Sequence, residues 1–175
     1  NPYKLYVGDK EYETESVIIS TGASAKLLGL ESETKLMGFG VSACATCDGF
    51  FFKEKDILVV GGGDSAMEEA TYLTKFASTV YVIHRRSEFR ASKTMQDRVL
   101  NAENAEVLWN KQVIDVLGED RISAVLLEDT VTGEKSQVDV TGMFVAIGHT
   151  PASEFLAGTS IAMDDKKYVK LDTRT

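Results

Sequence analysis

Residues 56–66 have the sequence Asp-Ile-Leu-Val-Val-Gly-Gly-Gly-Asp-Ser-Ala, and this stretch decides the fold. Its apolar run at 56–60 predicts a short buried strand of a parallel sheet. Residues 65–77 then carry apolar side chains at helical spacing, and 79–83 form a second apolar, β-rich run. This strand–helix–strand order predicts an α/β layered fold.

The glycines between the first strand and the helix indicate a nucleotide site. Gly61 permits a tight turn, Gly63 lets the backbone approach a pyrophosphate, and Ala66 allows close packing of the helix. The N-terminus of the helix then presents free N–H groups and a partial positive charge to the phosphates. The G-x-G-x-x-A pattern alone is a weak signal, so the end of the second strand decides more.

That end favours NADPH over NADH. An NAD site usually carries an acid there, which binds the ribose 2′-hydroxyl. Here Ile83 is followed by His84, Arg85 and Arg86, with Arg90 four residues further. Guanidinium groups suit a 2′-phosphate because they form bidentate, charge-assisted hydrogen bonds. On charge alone, this cluster of basic residues could equally be the solvated face of a helix.

The only two cysteines lie in the pentapeptide Cys44-Ala-Thr-Cys47-Asp48. The C-x-x-C spacing indicates either a redox dithiol or half of a zinc site. A zinc site needs about four ligands. The only other soft ligands are His84 and His149, and His84 belongs to the proposed phosphate site, so we expect no metal. A pair at this spacing closes a small, reducible disulfide. Asp48 is close enough to exchange a proton with it, and we expect the phenylalanines at 50–52 to serve packing.

Composition excludes several classes of function. The net charge of −8 argues against a nucleic-acid partner, which requires a basic face. No apolar run reaches the ~18–20 residues of a membrane helix. The first fifteen residues do not predict a signal peptide, so we expect a cytoplasmic protein.

The remaining pattern predicts further strands and one more helix. Before the glycine loop we expect strands at 3–7 and 12–19, around a turn, and then a loop to about residue 43. After it we expect a helix at 92–100, followed by strands at 107–109, 113–117, 122–128, 137–140 and 143–147.

Four segments together resemble the low-molecular-weight, bacterial-type thioredoxin reductases: 44–51, 61–66, 84–86 and 146–151. The resemblance covers nearly the whole chain. It implies a three-layer, Rossmann-like FAD/NAD(P)-binding fold with a central parallel sheet and an added β-meander. It also implies an NADPH-dependent flavoprotein enzyme, which passes electrons from NADPH through FAD to the Cys44–Cys47 disulfide and on to thioredoxin.

The resemblance also implies roles for individual residues. Cys47 would face the flavin, Cys44 would attack the disulfide of thioredoxin, and Asp48 would act as the general acid. Glu68 would lie near the nicotinamide. The implied cofactor-binding residues are Gly61, Gly63, Asp64, Ser65, Ala66, Glu68, His84, Arg85, Arg86, Arg90, Ile147 and Gly148, with Thr21 and Gly22 for FAD.

The family's two flavin motifs are absent from this chain. We therefore expect residues 1–26 and 151–175 to be remnants of an FAD-binding domain, around an NADPH-binding domain at 27–150. The isolated chain would bind NADPH but lack FAD and turnover, and both cysteines would be exposed. The parent enzyme would be a homodimer.

Two alternatives remain open. One is a related flavoprotein that serves a peroxiredoxin and prefers NADH, against which Arg85 and Arg86 argue. The other is a non-catalytic nucleotide- or zinc-binding module, which stoichiometric zinc on Cys44 and Cys47 would support.

Overall fold

The computed structural model describes residues 2–171, and its internal contacts divide them into two units. The described residues up to Ser24 and from Thr150 onward form the first unit, and Ala25–His149 form the second.

The first unit begins with an antiparallel hairpin of β1 (Tyr3–Val7) and β2 (Lys10–Thr14). The expected extension of the second strand to residue 19 is wrong, because residues 15–22 form no regular structure and Ile18 is 93% exposed. The run Val17–Ile19 has high β propensity, but a strand also needs a hydrogen-bonding partner, and the described chain supplies none there.

The second unit starts within β3 (Ala23–Ala25) and contains most of the regular structure. In chain order its further elements are α1 (Glu31–Lys35), β4 (Val41–Ser42), α2 (Ala45–Asp48), a 3₁₀ turn (Gly49–Phe52), β5 (Asp56–Val60), α3 (Asp64–Leu73), β6 (Thr79–His84), α4 (Lys93–Leu100), β7 (Ala105–Trp109), β8 (Lys111–Leu117), β9 (Ala124–Asp129), β10 (Lys135–Asp139) and β11 (Gly142–Val145). The chain continues into β12 (His149–Pro151), which pairs with β3, and a 3₁₀ turn at Glu154–Leu156.

Two sheets build the second unit. The central sheet is parallel, in the spatial order β4–β11–β5–β6–β7, and β8, β9 and β10 form an antiparallel meander. Because successive side chains of a strand point to opposite faces, β5 serves two cores. Ile57 and Val59 pack with residues of α3 and α4, whereas Leu58 and Val60 pack with residues of the meander. The predicted three-layer α/β fold is thereby confirmed.

Some elements differ from the sequence prediction. The segment expected to be a loop up to residue 43 contains α1 and the buried strand β4, which are too short to show a periodicity. The helix expected to reach residue 77 ends at Leu73, and the Leu73 carbonyl accepts the N–H groups of Phe76 and Ala77 in the following turn.

Candidate functional site

The glycine loop turns sharply where β5 ends. Gly61 has φ +156°, and a Cβ added there would lie 2.4 Å from the Ala146 carbonyl oxygen and 2.6 Å from Ala66 Cβ. Only glycine therefore fits, because any side chain would strike the backbone after β11 and the first turn of α3.

Gly63 is different, because the protein itself does not require a glycine there. It has φ −100°, and a Cβ added to it would meet no atom within 4 Å. By contrast, a Cβ at Gly62 would lie 2.2 Å from the ring of His84. The space above Gly63 is open to a ligand that approaches the backbone at the start of α3.

The segment that follows β6 is tied to the glycine loop. The Gly62 carbonyl accepts hydrogen bonds from the N–H groups of Arg90 (2.8 Å) and Ala91 (3.2 Å). The Asp64 carboxylate accepts two more, from the N–H (2.8 Å) and the hydroxyl (2.9 Å) of Ser92. These bonds from Ser92 lower the pKa of Asp64 and direct its carboxylate toward residues 85–92, called the arginine segment below.

Above these loops lies a cleft of about 490 Å³, entirely within the second unit. It is lined by eight of the cofactor-binding residues expected from the sequence, namely Gly61, Gly63, Ser65, His84, Arg85, Arg90, Ile147 and Gly148. The lining also includes residues that sequence reasoning missed, among them Leu27, Leu28, Lys111, Gln112 and Val113. No sequence signal marks these residues. Leu27 and Leu28 lie in the segment before α1, and the other three lie on β8 of the meander.

The cleft carries uncompensated positive charge. Arg85 and Arg90 are exposed, and in residues 2–171 neither guanidinium forms an ion pair with a carboxylate. His84 is buried beneath them and its Nε2 has no hydrogen-bond partner within that range. Burial lowers the pKa of His84, which keeps the ring neutral and the charge on the arginines.

The other expected cofactor residues do not line this cleft. Arg86 and Glu68 are exposed outside its lining, and Ala66 is fully buried beneath Gly61. Thr21 and Gly22 lie in the first unit, where the Thr21 hydroxyl donates to the Ala152 carbonyl oxygen at 2.7 Å.

Cys44 and Cys47 are joined as a disulfide, with their Cα atoms 5.3 Å apart. Cys44 precedes the first residue of α2, and its N–H donates to the Ser42 hydroxyl at 3.0 Å. The expectation that both cysteines are exposed holds for Cys47 and is wrong for Cys44, which is half-buried. Cys44 follows the buried end of β4 and precedes Ala45, which is 1% exposed.

The phenylalanines after the disulfide divide into two groups. Phe52 packs edge-on against Phe144 of the central sheet, with ring centroids 5.3 Å apart, as expected. Phe50 and Phe51 are 69% and 70% exposed, although the Phe50 ring also lies edge-on to that of Phe76, with centroids 6.4 Å apart. Asp48 and Phe51 line a second cleft, of about 470 Å³, on this side of the unit.

A glutamate that the sequence did not single out lies under the disulfide helix. Glu69 projects from α3, which packs against α2, and the Ala45 N–H hydrogen-bonds to its carboxyl. Burial raises the pKa of Glu69 to about 7, and the charge of Glu68 adds to that rise.

Throughout residues 2–171, no three His, Cys, Asp or Glu side chains cluster in a way that would hold a metal ion. None of the helices in the same range is long and apolar enough to cross a membrane.

Known proteins resemble the chain over nearly its whole length. A thioredoxin reductase of Mycolicibacterium smegmatis is 54% identical over 171 residues, which cover 98% of this chain and 55% of that protein. The crystal structure of Lactococcus lactis thioredoxin reductase superposes with a TM-score of 0.87 at 37% identity, covering 97% of this chain and 56% of that one. The thioredoxin reductase of Streptococcus pyogenes gives a TM-score of 0.83 at 40% identity, with coverage of 97% and 56%.

These matches confirm the resemblance that the four sequence motifs predict. The chain spans about half the length of the curated relatives that it matches. The family model described as pyridine nucleotide-disulphide oxidoreductase matches residues 3–175. The chain therefore belongs to the pyridine nucleotide-disulphide oxidoreductase family.

Proposed function

We propose that this chain is the NADPH-binding and dithiol part of a thioredoxin reductase. One observation carries the proposal: a cleft joins a glycine loop, open at Gly63, to Arg85 and Arg90, which form no ion pair among residues 2–171. The cleft is in the same unit as the Cys44–Cys47 disulfide. Residues 27–150 would form the NADPH-binding domain, and 1–26 with 151–175 would belong to an FAD-binding domain completed by the rest of the protein.

The cleft fits NADPH in its shape and charge. The pyrophosphate would lie over Gly63 and Ser65, where α3 begins and where backbone N–H groups are free. The 2′-phosphate would bind Arg85 and Arg90, whose guanidinium groups have no carboxylate to compete for them in the described chain. Arg86 would add long-range attraction from outside the lining.

The reaction would take place at the disulfide. When bound, FAD supplies the step between a two-electron hydride donor and the disulfide. The Cys44 thiolate would then attack the disulfide of thioredoxin to form a mixed disulfide, and the Cys47 thiolate would displace reduced thioredoxin and restore Cys44–Cys47. Asp48 would donate the proton that the leaving thiolate takes up.

A protein substrate would have a contact surface beside these cysteines. Phe50 and Phe51 expose most of their rings directly after the disulfide helix. Exposed aromatic side chains of this kind are enriched at protein–protein interfaces. We propose that thioredoxin contacts them, and that the whole protein is a cytoplasmic homodimer.

Nucleotide titration tests the proposal. Isothermal titration calorimetry of the chain should show tighter binding of NADPH than of NADH, and NADPH should not be consumed when oxidised thioredoxin is added. Tighter binding of NADH would favour the flavoprotein that serves a peroxiredoxin. Stoichiometric zinc on the two thiols would favour a metal-binding module.

The roles of the two cysteines require a separate test, because Cys47 is the more exposed of them. In the whole enzyme, reduced Cys47→Ser should trap a mixed disulfide between Cys44 and thioredoxin. Reduced Cys44→Ser should trap much less, and the opposite pattern would exchange the two roles.

A further inference from the structure

The carboxyl of Glu69 lies beneath the Cys44–Cys47 pair, and the proposed reaction assigns no role to it. Glu69 is on α3, one turn beyond the glycine loop, and its Oε2 is buried with no hydrogen-bond partner in residues 2–171. The Ala45 N–H hydrogen-bonds to the same carboxyl. Ala45 lies between the two cysteines in sequence and is 1% exposed, so this contact forms on the buried side of the C-x-x-C turn.

Buried polar groups normally have a partner, so an unpaired carboxyl oxygen needs an explanation. A protonated carboxyl tolerates this position better than a carboxylate, because burial penalises the charged form. The group therefore titrates near neutrality and not in the usual range of a glutamate.

The charged groups around Glu69 decide whether a thiolate of the redox pair can change the pKa of its carboxyl. The charged or titratable groups on the elements around it are Asp48 of α2, Asp64, Glu68 and Tyr72 of α3, Asp56 of β5, Tyr81 and His84 of β6, and Lys93, Asp97 and Arg98 of α4. Of these, Glu68 acts on the carboxyl through its charge, which raises the pKa of Glu69. A thiolate formed one residue from Ala45 would act in the same direction.

We propose that Glu69 is a positioning residue of the Cys44–Cys47 centre, which holds the Ala45 amide and takes up a proton when the disulfide is reduced. The inference rests on the proposed redox function of this pair. In the balanced step, two electrons from a dithiol reductant break the S–S bond. One proton converts one sulfur to a thiol, the other sulfur remains a thiolate, and a second proton from solvent neutralises the Glu69 carboxylate. Near neutral pH this uptake keeps the thiolate and the carboxylate from being charged together, whereas at high pH both are charged and repel each other.

The test is a redox titration of the 175-residue chain from pH 6 to pH 9. The chain is equilibrated with mixtures of reduced and oxidised dithiothreitol, and the dithiol fraction is measured by alkylation and mass spectrometry. The variants are Glu69→Gln and, as a matched control, Glu119→Gln, an exposed glutamate in the turn between β8 and β9.

At pH 6 the reduction equilibrium constants of wild type and Glu69→Gln should agree, because Glu69 is then protonated in both redox states. By pH 9 the constant of the wild type should fall at least about fivefold below that of Glu69→Gln, since the carboxylate opposes the thiolate. Glu119→Gln should follow the wild type throughout. Parallel curves for wild type and Glu69→Gln would overturn the inference.

A measurement on the wild type alone keeps the inference testable if Glu69→Gln does not fold. In ¹³C NMR, the side-chain carboxyl of Glu69 should titrate at a higher pH in the reduced chain than in the oxidised chain, and identical titrations would refute the coupling. A disulfide that dithiothreitol does not reduce reversibly would overturn the proposed function as well, whereas a reversible disulfide without this coupling would overturn the inference alone.

Discussion

The Asp64 carboxylate accepts two hydrogen bonds from Ser92, one from its backbone N–H at 2.8 Å and one from its hydroxyl at 2.9 Å. The first residue of α3 is thereby joined to the residue that directly precedes α4. This link fixes the distance between the loop proposed to bind the pyrophosphate and Arg90, which is proposed to bind the 2′-phosphate.

Asp64→Ala should weaken NADPH binding because it frees the arginine segment. Asp64→Asn should bind NADPH at least as tightly as the wild type, since its amide oxygen still accepts from Ser92 and a negative charge near the phosphates is gone. Calorimetric dissociation constants measure both. Equal losses in the two variants would show that the charge, and not the link, is what matters.

Gly61→Ala and Gly63→Ala should separate folding from binding. Gly61→Ala should lower the free energy of unfolding by about 1–3 kcal/mol from backbone strain, with a further loss from the clash at Ala146. Gly63→Ala should leave the urea midpoint unchanged and weaken NADPH, because its methyl group would enter only the open space of the cleft. If Gly63→Ala bound NADPH normally, the pyrophosphate would have to lie elsewhere.

Arg85→Ala should weaken NADPH by about 1.5–3 kcal/mol, the range for a hydrogen bond to a charged group, and leave NADH almost unaffected. Arg86→Ala is the matched control, since Arg86 is exposed outside the lining of the cleft. Its effect should be smaller and should disappear at high salt, because only screened long-range attraction is lost. Equal losses of NADPH and NADH in Arg85→Ala would contradict a 2′-phosphate role.

Glu69 should make the chain less stable as pH rises. Since its folded pKa is raised to about 7 from an ordinary value near 4.5, the folded state binds more protons between these values and loses stability across that window. Because Glu69 is partly solvated, its ionisation should cost about 1–2 kcal/mol above pH 7. His84 acts in the opposite sense, because its lowered pKa stabilises the fold as pH rises. The comparison of Glu69→Gln with the wild type by urea unfolding at pH 5 and pH 8 cancels that contribution, and the variant should gain relative stability at pH 8.

Glu33→Gln should destabilise the second unit. The fully buried Glu33 carboxylate accepts the N–H groups of Leu28 and Gly29, each at 2.9 Å and each on a separate oxygen. Glutamine keeps one acceptor, so one of these partly buried N–H groups loses its bond to the carboxylate, at a cost of about 1–3 kcal/mol. Glu31→Gln, an exposed change on the same helix, should leave the urea midpoint unchanged.

The parts of the fold that follow from sequence are those with a strong local pattern. The β5–glycine loop–α3–β6 unit was predictable because a buried strand, a required turn at Gly61 and a helical apolar stripe agree there. Val17–Ile19 misled the prediction because β propensity counts only when a partner strand is present. The two-residue strand β4 is too short to carry a pattern of its own.

The candidate site also contains residues that a local pattern identifies and residues that only tertiary packing brings to the cleft. His84, Arg85 and Arg90 were predictable because His84 ends the parallel strand β6 and the two arginines follow it, at the carboxyl end where such sheets bind ligands. Lys111 and Gln112 reach the cleft from the meander, whose placement over the central sheet depends on tertiary packing. Glu69 could not be identified, because in sequence the Glu68–Glu69 pair is indistinguishable from a solvated helix face.

The chain order of the two units has a practical consequence. The second unit is one uninterrupted segment, and near its two ends the Lys26 N–H donates to the Gly148 carbonyl oxygen at 2.9 Å. A segment whose ends are already hydrogen-bonded to each other behaves as a cassette inserted into a host sequence, and such cassettes tolerate excision and circular permutation. We therefore expect that residues 25–149 fold when produced alone, or when rejoined end to end and opened at the Gly133 turn, which would make them a minimal scaffold on which to engineer nucleotide preference.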